Sequence, residues 1–254
     1  MLNRINLVFI ITIAALTSSC AHNNINHIDA SARDHIDEVD AYLAVTQDEI
    51  YADIDKSTTS AAGGGLLFAL IDAAVDNSRT EDAEELIKPI RNSLIDFDYA
   101  ETLQANIEKS FDEIKWMDVK KIELERSIGD GHILNKIKSS KVSAVLFMTV
   151  DYKLSSNFNA VTTNVALIMF PNKEALYKFK ESLDNNENPA DHSDNIYSNN
   201  ITVTIPLGLG SDKEANASTL ANSNAAEVKT ALEKSAKKIA QDIIIDIQAE
   251  DKKG

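Results

Sequence analysis

Few residue types in this 254-residue chain stand where they could carry chemistry. There is a single cysteine, Cys20, and there are five histidines: His22, His27, His35, His132 and His192. No two histidines fall at ligand spacing on an expected helix or strand. H-E-x-x-H, nucleophile-elbow, Walker and EF-hand patterns are all absent from the sequence. No catalytic residue, metal site or cofactor is therefore expected, and the chain reads as a non-enzyme. Carboxylates gather at Asp34-x-x-Asp37-Glu38-x-Asp40 and at Asp96-Phe-Asp98, where a divalent cation would find oxygen ligands. In so acidic a chain such clusters belong to solvated surface. Asp151-Tyr152, closing a hydrophobic run, is the best-placed polar pair, and its plain reading is a strand leaving the core. Gly63, Gly64 and Gly65 open an apolar stretch and suit close packing or an oligomer contact better than phosphate binding. They lack the spacing and the Gly-Lys-Ser/Thr ending of a phosphate loop.

The cysteine has the most telling context. Arg4 supplies the only side-chain charge of a short leading segment, and Ile5–Leu16 is a 12-residue run in which only Asn6 and Thr12 are polar. That length fits the hydrophobic region of a signal peptide, since a bilayer span needs about 20 apolar residues. Leu16-Thr-Ser-Ser-Cys20 then ends the run in small residues. This resembles the lipobox of bacterial lipoproteins, with Thr17 standing where Leu is commonest. The resemblance implies cleavage before Cys20, a diacylglycerol on its thiol and an acylated amino group. Two or more acyl chains anchor stably, at about 0.8 kcal/mol per buried methylene. Ala21 follows the cysteine, and by the family's sorting rule the absence of Asp there directs the protein to the outer membrane.

Composition narrows the functions further. The chain carries a net charge of −15, and without residues 1–19, which hold Arg4 and no acid, it carries −16. Such a charge repels phosphate backbones and anionic headgroups, which argues against nucleic acid as a partner. With Cys20 acylated no thiol is left, so stability in an oxidising compartment must come from the core rather than from disulfides.

Expected organisation follows from hydrophobic period and punctuation. Residues 20–40 read as a polar tether and residues 41–254 as a periplasmic domain, divisible into a helical part, 41–115, and a sheet-plus-helix part, 116–250. Ile50, Ala52 and Ile54 alternate as on a half-buried strand. From Leu66, the segment Ala61–Val75 reads as a buried helix, with Asp72 its only charge. Helices are expected over Glu81–Leu94, bent or interrupted at Pro89, and over Tyr99–Ile114. A strand follows at Trp116–Glu125, a turn at Gly129-Asp-Gly131 and a short helix around Ile133–Ile137. Val142–Leu154 has the near-continuous apolar character of a central strand. Ala160–Phe170, Leu176–Phe179 and Ile196–Ile205 are expected to complete an antiparallel meander, with an exposed loop over Leu183–Asp194. Gly208–Asn224 reads as a linker. Ala225–Ala249 is the clearest helix, with Leu232, Ala236, Ile239, Ala240, Ile243, Ile244 and Ile247 on one face. The fold expected is α+β, an antiparallel sheet covered on one face by helices, with a helical N-terminal half and a long C-terminal helix.

The residues Gly63-Gly-Gly-Leu-Leu, Ile71-Asp-Ala-Ala, Pro89-Ile-Arg91, Ala144-Val-Leu-Phe and Asp151-Tyr-Lys-Leu154 resemble a family of uncharacterised proteobacterial lipoproteins. That resemblance spans most of the mature chain and implies a location without an activity. The expectation is a lipid-anchored cell-envelope protein on the periplasmic face of the outer membrane. It would be a non-catalytic binding or assembly accessory with envelope proteins as partners. Two alternatives are an oligomer- or pore-forming component built on residues 61–75, and an enzyme whose site follows no known pattern.

Overall fold

The computed structural model describes residues 26–53, 81–129, 131–179 and 195–249. Cys20, the glycines Gly63, Gly64 and Gly65 with the segment 61–75 around them, and the expected loop 183–194 lie outside these residues. An α+β architecture is found, built on one six-stranded sheet. Its strands are β1 (Glu38–Ala44), β2 (Tyr51–Ala52), β3 (Asp118–Glu125), β4 (Ala144–Leu154), β5 (Ala160–Pro171) and β6 (Tyr197–Pro206). Their order is β3-β1-β4-β5-β6, with β2 paired to the end of β4.

The sheet is mixed, which corrects the expected antiparallel meander. β4, β5 and β6 do run antiparallel, but β1 lies between β3 and β4 and is parallel to both. Every residue of β1 after Glu38 is buried, as a parallel strand packed on both faces requires. Because β1 sits between β3 and β4, the division at 115/116 cuts through the sheet. The expected third meander strand at Leu176–Phe179 belongs to a 3₁₀ helix, Glu174–Phe179. Pro171 ends β5 just before it.

Residues 26–40 do not form a tether. Asn26 pairs with Ser198 on β6 through two backbone hydrogen bonds of 2.9 Å. Ile28, Ala32, Ile36 and Val39 are then buried through the short helix α1 (Ala30–Arg33) and into β1. These apolar side chains, sparse in a polar sequence, are enough to seat the segment.

Period-2 alternation sends one set of side chains from each strand to the main core. Val39, Ala41 and Leu43 meet Leu146, Met148 and Val150, then Val165, Leu167 and Met169, and Tyr197, Ile201 and Val203. Over this face lie α2 (Glu81–Ser93), α3 (Tyr99–Phe111), α5 (Lys213–Asn222) and α6 (Ala226–Gln248). α2 runs through Pro89. α6 buries Val228, Leu232, Ile239, Ile243 and Ile247 against the sheet and α3, each branched side chain contributing about 1.5–3 kcal/mol. α5 replaces the expected linker. Asp212 caps it by accepting the Ala215 N–H at 2.9 Å, and Ala217 and Leu220 are buried. Its Ala, Ser and Asn content hid a helix whose start is fixed by one carboxylate.

The opposite face is not bare. The short helix α4 (His132–Ser139) sets Ile133 in a second cluster with Tyr42, Val145, Phe147, Ile168 and Phe170. Tyr42 and Phe147 stack at 5.2 Å, and the Lys121 and Lys136 ammonium groups stand 4.8 and 4.6 Å from the Tyr42 ring.

Candidate functional site

The connections around β1 create the most promising place for a site. From β1 the chain passes through α2 and α3, on the main-core face, to β3 on one side. It returns through α4, on the opposite face, to β4 on the other side. The carboxyl ends of β1 and β4 therefore mark a point where the winding reverses. In open sheets of this kind the crevice outside those ends is where ligands bind.

A cavity of about 410 Å³ opens there. Asp48, Glu49 and Ile50 border it where the chain leaves β1, Arg126 where it leaves β3, and Tyr152 from the end of β4. Arg91 and Leu94 come from the end of α2, Asp96 and Phe97 from the turn before α3, and Leu232 from α6.

The two guanidinium groups are already neutralised. Arg91 sits against Glu84 at 2.7 Å and Glu49 at 3.4 Å, and donates to the Ile50 carbonyl at 2.7 Å. Arg126 pairs with Asp98, which also caps α3 by accepting the Glu101 N–H at 3.0 Å. Burial alone would raise Asp98, but the Glu101 N–H and the Arg126 guanidinium outweigh it and hold the carboxyl below its usual value. Tyr152 is only 7% exposed, and its ring lies 4.7 Å from that of Tyr99. Burial pushes its phenol up; Tyr99, Asp98 and Asp48 add to this while Arg126 opposes, so it stays protonated. Beneath the cavity the Tyr99 hydroxyl meets Thr163 Oγ1 at 3.0 Å, and Ser235 Oγ donates to Thr163 Oγ1 at 2.8 Å, all three buried.

Tyr152 of the Asp151-Tyr152 pair reaches the site, and the strand pleat sends Asp151 to the other face. There Asp151 accepts from the Tyr51 hydroxyl, and from Asn164 Nδ2 at 3.1 Å. Asp96 and Asp98 also reach the cavity. The Asp34–Asp40 cluster is dispersed: Asp37 takes both its carboxylate oxygens to Lys173, Glu38 pairs with Lys120, and Asp40 accepts from Ser140. Among the described residues no three His, Cys, Asp or Glu side chains lie close enough to hold a metal ion. His132 stands 3.4 Å from Glu125, and His27 stands 4.0 Å from Asp246. Asp48, Arg91 and Arg126 escaped the sequence reading because they come from three separate segments and share no local motif. The usable signal was that Asp48 and Arg126 each follow a run that ends a strand.

No protein-family model matches this sequence, and no curated protein matches it. Solved structures give distant likenesses. A Xanthomonas campestris protein from a domain family of unknown function is 10% identical, over 89% of this chain and 94% of that one, with a TM-score of 0.33. The PelC L103M dodecamer of Paraburkholderia phytofirmans is 12% identical, over 88% and 95%, with a TM-score of 0.30. A Caulobacter crescentus protein described as a lipoprotein is 9% identical, over 59% and 83%, with a TM-score of 0.24. Likenesses at this level carry no activity across.

Proposed function

We propose that this chain is a lipid-anchored cell-envelope protein, held through Cys20 on the periplasmic face of the outer membrane. Its α+β domain acts there as a non-catalytic binding accessory, and the cavity outside the carboxyl ends of β1 and β4 is its binding site. The observation that carries this reading is the apolar run Ile5–Leu16 ending in Leu16-Thr-Ser-Ser-Cys20, and Asn26 is seated on β6 six residues after that cysteine. Six extended residues reach at most about 20 Å, so a lipid on Cys20 holds the β6 edge of the sheet beside the bilayer. The cavity's mixture of ion pairs, aromatic rings and aliphatic groups suits the binding of a ligand.

Labelled palmitate fed to cells producing the full chain tests the anchor. The expected result is label on the wild type and none on Cys20→Ala, which also accumulates as an uncleaved precursor. An unmodified mature amino terminus elsewhere in the chain, found by mass spectrometry, overturns the proposal.

A further inference from the structure

The outward face of α6 departs from the charge of the chain around it. Residues Lys229 to Lys238 hold four lysines and one acid, Glu233, in a chain of 25 Lys and Arg against 40 Asp and Glu. Lys234, Lys238, Gln241, Ile245 and Gln248 follow at helical spacing along one stripe, with Lys237 beside it, while the buried side chains of α6 face the sheet and α3. Lys234 and Lys237 are exposed and make no ion pair among the described residues. Lys238, its side chain 56% exposed, pairs with Asp242 at 2.9 Å. Ile245, 68% exposed, adds an apolar group near the end of the stripe.

This end of α6 lies where the chain arrives from Cys20. Asp246, next to Ile245, accepts from the Tyr197 hydroxyl and stands 4.0 Å from His27 Nδ1, and Asn26 is bonded to Ser198 of β6. α6 then runs back along β6, since its first turns border Ile205, Pro206 and Leu207 at the far end of that strand. A lipid on Cys20 therefore sets α6 and the β6 edge together beside the bilayer. In a chain this acidic only a locally basic face can settle on an anionic leaflet, and the same field turns the acidic elements away.

We propose that the outer face of α6 seats on the surface of an anionic phospholipid bilayer, with Lys234, Lys237 and Lys238 at the headgroups and Ile245 at the interface. Three lysines hold such a surface weakly by themselves. The anchor makes the contact intramolecular, and the lysines then set the orientation of the domain. The inference rests on the lipid at Cys20.

The full lipidated chain reconstituted in vesicles tests it. A fluorophore on Gln241→Cys reports the α6 face, and one on Lys138→Cys, exposed on α4 across the sheet, reports the opposite face. With about 30% phosphatidylglycerol in phosphatidylcholine, a spin-labelled headgroup is expected to quench the probe at 241 several-fold more than the probe at 138. Phosphatidylcholine alone should remove the difference, and so should salt raised towards about 1 M, where screening is nearly complete within 3 Å or so. Lys234→Gln and Lys237→Gln are each expected to lower the ratio of seated to unseated protein about fivefold, with the urea midpoint unchanged. Equal quenching at the two positions overturns the proposal. So does quenching at 241 that survives in phosphatidylcholine alone or in the Lys234→Gln/Lys237→Gln double variant. A blue shift at 241 without quenching puts a second copy on this face and overturns it as well. A chain that floats with the vesicles but leaves 241 unquenched overturns the seating while the anchor stands, and a chain that does not float overturns the anchor.

Discussion

The side chain of Gln47 stands in for a missing piece of strand beside Tyr152. Its Nε2 donates to the Tyr152 carbonyl at 2.6 Å, and its Oε1 accepts the Tyr152 N–H at 3.1 Å. β1 ends at Ala44 and β2 begins at Tyr51, so between them β4 has no backbone neighbour on that side. One amide fills the gap by presenting a donor and an acceptor just as a peptide unit does. The chain is then free to bulge outward through Asp48 and Glu49, and the cavity exists because it does.

Gln47→Leu is expected to leave both backbone groups of Tyr152 without partners, at a cost of about 1–3 kcal/mol for each one that stays dry. Urea denaturation measures it. An unchanged midpoint would show that water replaces the amide at no cost.

The Tyr99–Thr163–Ser235 hydroxyls form a closed, buried set. Thr163→Val removes the shared partner and is expected to destabilise by about 1–3 kcal/mol through the stranded Tyr99 and Ser235 hydroxyls. Replacing all three by Phe, Val and Ala should recover most of that loss, since no stranded group remains. A triple variant as unstable as the sum of the single variants would contradict this account.

Arg33 fastens the end of α6 by donating to the carbonyls of Ile247 and Ala249, with its guanidinium 5.2 Å from the Trp116 ring. It also places a positive charge at the negative end of the helix dipole. Arg33→Ala is expected to cost about 1–2 kcal/mol and to speed amide exchange in the last turn of α6. Arg33→Lys should restore the charge but not the stacked fork, and so recover only part. Full recovery by lysine would reduce the role to charge alone.

Acid should weaken the fold through two carboxylates. Lys173, and after it Ser143, hold Asp37 well below the usual carboxylate range, and Asp98 is also held low. A group depressed in the folded state gives stability that is present above its unfolded value, about 3.9 for Asp. That stability is lost as pH falls from there through the folded value. The urea midpoint of the wild type relative to Asp98→Asn should be constant from pH 7 to 5 and narrow below about pH 4. Comparing the two cancels the general relief of repulsion in an acidic protein. A difference that persists unchanged to pH 2.5 would show that the carboxylate's charge contributes nothing.

The α+β class, the long terminal helix, α3 and the strands β4, β5 and β6 were legible because each announces itself locally. Leu103 and Ile107 repeat at helical spacing, Ile201 and Val203 alternate, and Leu232 to Ile247 form one unbroken stripe. Such periods come from the helix or strand itself and need no knowledge of what lies opposite. The tertiary structure decided the rest. Val39–Ala44 looks mixed in sequence, and only β3 and β4 on either side turn it into a buried parallel strand, since strand partners far apart in the chain leave no local mark. Ile28 and Ile36 read as strays in a tether until the sheet offers them a core. The cavity is the extreme case: Asp48, Arg91, Arg126 and Tyr152 lie on separate segments, and only the fold brings them to one space, a relation that a linear sequence does not contain.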